Sequence, residues 1–415
     1  MSEQSQDKKP KGNKLFILTV LLLMIAITLG TMLFYGIQYV QNKDFQDKAS
    51  QNKEQKESII EPTVIPTPVA TVKPTPAPTI TPAPNEEPIS KTPVKVRGIY
   101  VTGPRAGSGE AMDDLIHLVD TTEINAMVID IKNDSGEITY KMNQDTVKEI
   151  GAGTAYIHDM KALVKRLKKK NIYLIARIVA FKDPKLAQEK PELSLKTKDG
   201  KIFKDDKGLS WVNPYKKEVW DYLVGVASEA AYLGFDEIQF DYIRFSTDSG
   251  MKNVNFGKAA KNKSKGQVIT EFTKYAYEKL SSKGVFVSAD VYGTIIDSQV
   301  DAKIVGQDYA DMASHLDYIC PMVYPSHYAD GSYEIAHPND NPYEIIYNAL
   351  TESQKALTNS NLDQVAIVRP WLQDFFGYKK KEIKAQIKAV EDAGYEEWIL
   401  WNASNRYTKE GLLKE

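Results

Sequence analysis

Three aspartates interrupt apolar, β-branched runs of the chain. Asp130 lies in Val128-Ile129-Asp130-Ile131-Lys132-Asn133, Asp241 in Phe235–Phe245 beside Gln239, and Asp290 in Val285–Gly293. A carboxylate inside a buried strand costs several kcal/mol, on the order of ~3–5, unless it is paired or used. Two carboxyls at neighbouring strand ends are the parts that cleavage of a glycosidic bond needs. One protonates the leaving oxygen; the other attacks, or activates a water. Asp241 is the candidate nucleophile or base and Asp290 the candidate acid. Asp130 and Lys132 share strand parity, so both are expected to face the same mouth. Lys132, Arg177 and Arg244 can hold a carboxylate ionised or bind hydroxyls. Tyr292, Tyr324, Trp371 and Trp401 offer flat faces for sugar rings.

Plainer readings stand beside these. A strand-end aspartate also caps the following helix or pairs with an arginine, and Asp130 with Lys132 could be a structural ion pair. Cys320, in mid-strand, reads as a small buried hydrophobe. His327 and His337 follow the sixth strand and could touch a ligand or simply face solvent.

The elements that must hold these residues alternate. Eight strand candidates, Val96–Gly103, Ala126–Asn133, Ile172–Phe181, Phe235–Phe245, Val285–Gly293, Leu316–Pro325, Gln364–Gln373 and Glu396–Ala403, are separated by helical patterns. The helices are Met112–Glu123, His158–Lys170, Pro214–Leu233, Gln267–Ser282, Asp301–Ala313, Pro342–Leu357 and Lys380–Ala393. Asn213-Pro214 and Asn341-Pro342 read as helix starts, and Gly234, Gly284 and Gly394 as left-handed helix ends. Strand–helix alternation means parallel pairing, and eight repeats mean an α/β fold closed as a (β/α)₈ TIM barrel, with its site at the strand C-termini. The rival is an open doubly wound sheet. It would carry a glycine-rich dinucleotide turn, which Thr102–Gly109 does not match. Lys182–Val212 reads as a long loop over the cleft. Its lysines suit an anionic glycan or plain solvent equally.

Upstream, Leu15–Ile37 is an uncharged run of 23 residues preceded by Lys8, Lys9, Lys11 and Lys14. This predicts a single-pass transmembrane anchor at 15–37 with a basic cytoplasmic tail at 1–14 and the rest of the chain outside the membrane. Residues 38–95 read as a disordered linker: Pro62–Pro93 holds ten of the twenty prolines, mixed with threonine, which favours extended polyproline II over a core. The barrel is assigned to 96–415.

Composition narrows the class. The 53 basic and 55 acidic residues leave no polycationic footprint, so nucleic acid is not expected as a partner. One cysteine excludes an internal disulfide and a cysteine-cluster zinc site. The five histidines show neither HxH nor HExxH spacing, and no metal or cofactor is expected. No GxSxG motif supports a serine esterase.

The run Gly234–Phe245, the Asp130-x-Lys132 strand and Pro321-Met322-Val323-Tyr324-Pro325 together resemble a family of largely uncharacterised bacterial proteins described as a glycosyl hydrolase domain of the (β/α)₈ superfamily. The resemblance covers nearly all of Val96–Glu415 and implies the barrel and a carbohydrate-active role. A looser similarity to chitinase-type barrels of family eighteen breaks at strand four. There Gln239 replaces the middle acid of DGxDxDxE and Ile243 the catalytic glutamate, which argues against substrate-assisted chemistry. The barrel is similar to α-amylase-type barrels in placing an acid on strand four, Asp241, and another on strand five, Asp290. The resulting expectation is a membrane-anchored, extracytoplasmic hydrolase of a cell-surface or exported polysaccharide. The alternative is a barrel of the same fold that binds glycan without cleaving it.

Overall fold

The computed structural model describes residues 91–360, 362 and 364–413. The expected membrane anchor and nearly all of the expected linker lie outside them. Among the described residues no helix is long and apolar enough to cross a membrane. The last residues of the expected linker lie against the barrel: Lys91 Nζ is 3.4 Å from Asp317, and Asn125 donates to the Lys95 carbonyl at 2.8 Å.

Eight parallel wall positions close the barrel: β1 (Arg97–Val101), β2 (Ala126–Lys132), β3 (Tyr173–Val179), β4 (Glu237–Asp241), β5 (Phe286–Tyr292), β6 (Tyr318–Met322), β7 and β8 (Trp398–Trp401). β7 comes in two pieces, Ile367–Val368 and Trp371–Gln373. The first pairs with β6, the second with β8, and β8 pairs with β1, which shuts the ring. The break falls at Arg369-Pro370, where proline has no N–H to give the ladder. Outside the wall run α1 (Gly109–Asp120), α2 (Met160–Lys168), α3 (Lys217–Leu233), α4 (Lys265–Leu280), α5 (Gln299–Val305, continued by Tyr309–Ala313), α6 (Pro342–Asn359) and α7 (Lys380–Asp392). After β8 comes only a short turn, Lys409–Gly411, with Gly411 close against Ile383 of α7.

The core has two compartments. The larger packs the outer faces of the strands, such as Met127, Ile129 and Leu174, against the helices. The smaller is the lumen, filled by Val96, Tyr100, Val128, Tyr173, Ile175, Tyr318, Cys320 and Ile399. Strand alternation divides the two, as it must in a barrel whose interior is packed.

Two local expectations fail. Helix α3 begins at Lys217 rather than Pro214: Asn213 accepts from the Tyr215 N–H and donates to the Phe256 carbonyl, but the turn it caps does not run on into the helix. Strand β4 ends at Asp241 rather than Phe245, because Tyr242 turns the chain with φ +48°. The expected left-handed helix ends do form, as at Gly234, with φ +99°.

Candidate active site

The inward positions at the C-terminal ends of the strands are charged. β2 offers Asp130, β3 Arg177, β4 Asp241 and β5 Asp290. Register sets them side by side: Asp130 stands opposite Arg177, Val179 opposite Asp241 and Phe240 opposite Ala289, with Asp241 and Asp290 next along their strands.

Arg177 is the hub. Its Nη1 donates to Asp130 Oδ1 at 2.6 Å, and its Nε donates to Asp241 Oδ2 at 2.9 Å, with Nη2 reaching the same oxygen. The second Asp130 oxygen accepts from Tyr100 Oη at 2.6 Å, and the second Asp241 oxygen from the Tyr242 N–H at 2.6 Å. Positive φ is unusual for a tyrosine and clusters at working sites; here it aims that amide back at the carboxylate.

Asp290 sits in a different setting. Its Oδ1 accepts a single indole N–H, from Trp371 at 2.6 Å. Burial and the nearby negative charge of Asp241 push this carboxyl well above the usual carboxylate range, against weaker pulls from Trp371 and Arg177. Burial likewise raises Asp130, against Arg177 and Tyr100. Gln307 steadies both strand ends, accepting from the Tyr292 N–H at 3.1 Å and donating to the Ile243 and Asp290 carbonyls at 3.3 Å. Gly293 lets β5 leave close to β6, since a Cβ there would stand 2.6 Å from the Met322 carbonyl oxygen.

These groups open into a cavity of about 780 Å³ lined by Arg177, Asp241, Arg244, Asp290, Tyr292 and Tyr324, with Trp371 and Trp401. Trp401 stacks on Tyr100 with ring centroids 4.0 Å apart and is half-buried, so a ring face stays usable. His327 lines the same space; His337 is exposed beside Asp330. Among the described residues no cluster of His, Cys, Asp and Glu has the makings of a metal site.

Three expected site residues are placed differently. Lys132 does not face the mouth. A bulge between Asp130 and Lys132 sets Lys132 opposite Ile178, on the outer face, where it is fully buried. There it contacts the Asp183 carboxylate at 2.9 Å and the Val179 carbonyl at 2.7 Å. One extra residue reverses every later side chain, and nothing in the alternation announces it. Asp130 faces the lumen but lies behind Arg177, away from the cavity lining. Trp371 is 1% exposed with its ring packed edge-on to Trp401, so it offers an N–H to Asp290 rather than a sugar platform. The long segment 182–212 contributes no cavity-lining side chain; Trp211 instead packs near Arg244.

Tyr100 and Gln307 were not among the expected site residues. Tyr100 carries the inward parity of the first strand, a signal that was present. Gln307 lies between the two halves of α5, where sequence pattern gives no hint.

A parallel barrel with paired carboxyls around a mouth cavity is the architecture of a carbohydrate-active enzyme domain. Residues 98–407 match the family model described as "Putative glycosyl hydrolase domain", and the chain belongs to that family. Among solved structures, a hypothetical protein from Ruminiclostridium thermocellum is 43% identical over 46% of this chain and 97% of its own, with a TM-score of 0.43. The PgaB (BpsB) glycoside hydrolase domain from Bordetella bronchiseptica is 11% identical over 75% of this chain and 94% of its own, with a TM-score of 0.53. The catalytic domain of a β-amylase from Paenibacillus polymyxa is 10% identical over 76% and 94%, with a TM-score of 0.48. No curated protein matches the chain.

Proposed function

We propose that the barrel hydrolyses glycosidic bonds of a cell-surface or exported polysaccharide, with Asp290 as general acid and Asp241 as nucleophile or base. The observation that carries this reading is the contrast between two carboxyls lining one cavity from adjacent strands. Asp241 is clamped by the Arg177 guanidinium at one carboxylate oxygen and by the Tyr242 N–H at the other. Asp290 is buried, holds one neutral donor and is disfavoured as an anion by Asp241 itself. A carboxyl pushed up by burial beside an arginine-held carboxylate supports Asp290 as the proton donor and Asp241 as its partner.

In the reaction, the Asp290 hydroxyl gives its proton to the leaving glycosidic oxygen. The Asp241 carboxylate meets the positive charge growing at the anomeric carbon, either bonding to it or drawing a proton from water. Arg177 holds Asp241 in position, and Asp130 with Tyr100 keeps Arg177 in place. The Trp401 face supports the sugar.

We place this chemistry outside the cytoplasmic membrane. The apolar run 15–37, its lysine-rich flank and the proline-rich linker support a tethered enzyme working at a distance from the bilayer. The test is reducing-end release from a panel of bacterial wall and capsular glycans by the full chain beside Asp241→Asn and Asp290→Asn. Release lost in both variants supports the assignment. Release retained in either moves the chemistry elsewhere, and glycan binding with no release favours the non-cleaving module.

A further inference from the structure

Arg244 differs from the other cation at the mouth. Arg177 is neutralised by two aspartates, whereas among the described residues no carboxylate lies within ion-pair distance of Arg244; its Nη1 donates to the Phe245 carbonyl at 2.8 Å. It is 8% exposed, and what it exposes lines the cavity. Three rings box it in: its guanidinium carbon lies 4.6 Å from the Tyr292 centroid, 4.9 Å from Tyr242 and 5.2 Å from Trp211. Ring faces attract a cation but do not cancel its charge. A largely desolvated guanidinium with free donors aimed into a cavity is a receptor for a planar or tetrahedral anion.

A second, independent observation adjoins it. The β3–α3 and β4–α4 loops meet in a small antiparallel pair, Lys196–Thr197 with Val254–Asn255. Their lobe carries six exposed lysines, Lys198, Lys204, Lys207, Lys252, Lys258 and Lys261, that have no ion-pair partner among the described residues. Its acids are fewer: Asp199 is paired with Lys201, Asp205 accepts the Trp211 indole N–H at 3.1 Å, and Asp206 and Asp248 share hydrogen bonding with each other. Asp248 feels the Arg244 charge, but its contacts are to Ser246 and Asp206. Trp211 of this lobe lies against Arg244 and Thr247 of the β4–α4 loop lines the cavity, so the lobe adjoins the cavity on the side of Arg244. The carboxylates lining the cavity are Asp241, Asp290 and Asp301; Asp241 is held by Arg177, Asp290 by the Trp371 N–H, and Asp301 lies on α5, and none is ion-paired with Arg244. For a chain with net charge −2, this is a local concentration of positive charge at one side of the mouth.

We infer that the glycan this site takes is anionic: Arg244 receives a carboxylate or phosphate carried by a sugar in the cleft, and the lysine lobe holds the polymer leading into it. The inference rests on the hydrolase reading for its sugar backbone and goes further in naming the charge.

Binding of the full chain is compared between polygalacturonate and the same polymer fully methyl-esterified, and between a polyglycerol-phosphate glycan and neutral dextran. Expected is at least tenfold tighter binding to a charged member than to its neutral counterpart, weakening as salt rises. Arg244→Met should lose about tenfold of that preference, the worth of one charge-assisted contact, while Arg244→Lys keeps part of it. Lys204→Glu with Lys207→Glu, both exposed and thus harmless to folding, should flatten the salt dependence. Which pair responds tells carboxylate from phosphate. Equal binding within both pairs, no binding to either charged polymer, or a preference untouched by Arg244→Met overturns the inference. The two readings fail separately. Release from a neutral glycan alone overturns the charge and spares the hydrolase; acidic-polymer binding without release on any glycan does the reverse.

Discussion

The lumen of this barrel holds two buried charge clusters, one at its floor and one at its mouth. The floor cluster joins Glu237 of β4, Arg369 between the halves of β7, and Glu397 before β8. Arg369 Nη1 donates to both Glu237 oxygens at 2.9 Å, and its Nε donates to Glu397 at 2.8 Å. Tyr173 and Ser288 hydroxyls and the Val96 N–H supply the remaining donors, and Tyr318 lies under the guanidinium at 3.7 Å. The mouth cluster is also an arginine between acids, but a third acid, Asp290, is set beside it with a single N–H donor, and the cluster opens to a cavity. The floor satisfies its acids with donors from the protein. The mouth leaves one acid, Asp290, with a single donor, and its burial pushes the carboxyl up. An arginine between acids is thus a strut at one end and, in the function proposed, the support of a proton donor at the other.

The largest effect expected from this difference is on turnover. Asp290→Asn and Asp241→Asn should each lower kcat by about 10³-fold, within the range for removing a positioned acid or base, with the fold intact by circular dichroism. Arg369→Met should do the opposite. It strands Glu237 in a dry lumen and costs about 3–5 kcal/mol in denaturant unfolding, while the molecules that remain folded keep their kcat. A floor variant that lowered kcat without lowering stability would erase the distinction.

Most of the barrel is legible because it depends on periodicity: strand alternation and helix patterning place the eight wall positions and seven helices within a few residues. Asp241 and Asp290 are legible for the same reason, as acids at positions the lumen would fill with apolar groups. What escapes depends on single backbone events or on distant partners. The bulge after Asp130 sends Lys132 to Asp183, which an i, i+2 argument cannot anticipate. Trp371 is buried just past the break at Arg369-Pro370, where its backbone pairs with both β6 and β8. The role of Arg369 itself is invisible until Glu237 and Glu397, at 132 and 28 residues' separation, meet it.

The protonation of Asp290 sharpens the comparison through pH. Its folded-state pKa is raised, so the unfolded chain loses this proton first as pH increases. Stability is therefore full below the ordinary aspartate range and falls as pH climbs towards the raised value, by about 1.4 kcal/mol for each pH unit between the two. Asp290→Asn carries no such proton and should fall less steeply, so its melting temperature should overtake that of the parent as pH rises. In the parent, kcat/KM should decline along the same alkaline limb. Parallel stability curves for the two proteins would mean that Asp290 is ionised when folded, and the proton donor would have to be sought elsewhere.

The smallest effect tests the support beneath the mouth. Tyr100→Phe removes only the hydroxyl that donates to Asp130, leaving the ring stacked on Trp401. One hydrogen bond to a buried carboxylate is worth about 2 kcal/mol, so unfolding should register a loss of that order. Asp130 keeps Arg177 as its donor, and Arg177 keeps Asp241. If the mouth works as an acid pair held by an arginine hub, the change should reach catalysis only through a looser Arg177: kcat should fall several-fold, far less than for Asp241→Asn, with KM nearly unchanged because Asp130 lies behind the cavity wall. A KM effect larger than the kcat effect would place Tyr100 against the substrate and move the boundary between support and site one residue outward.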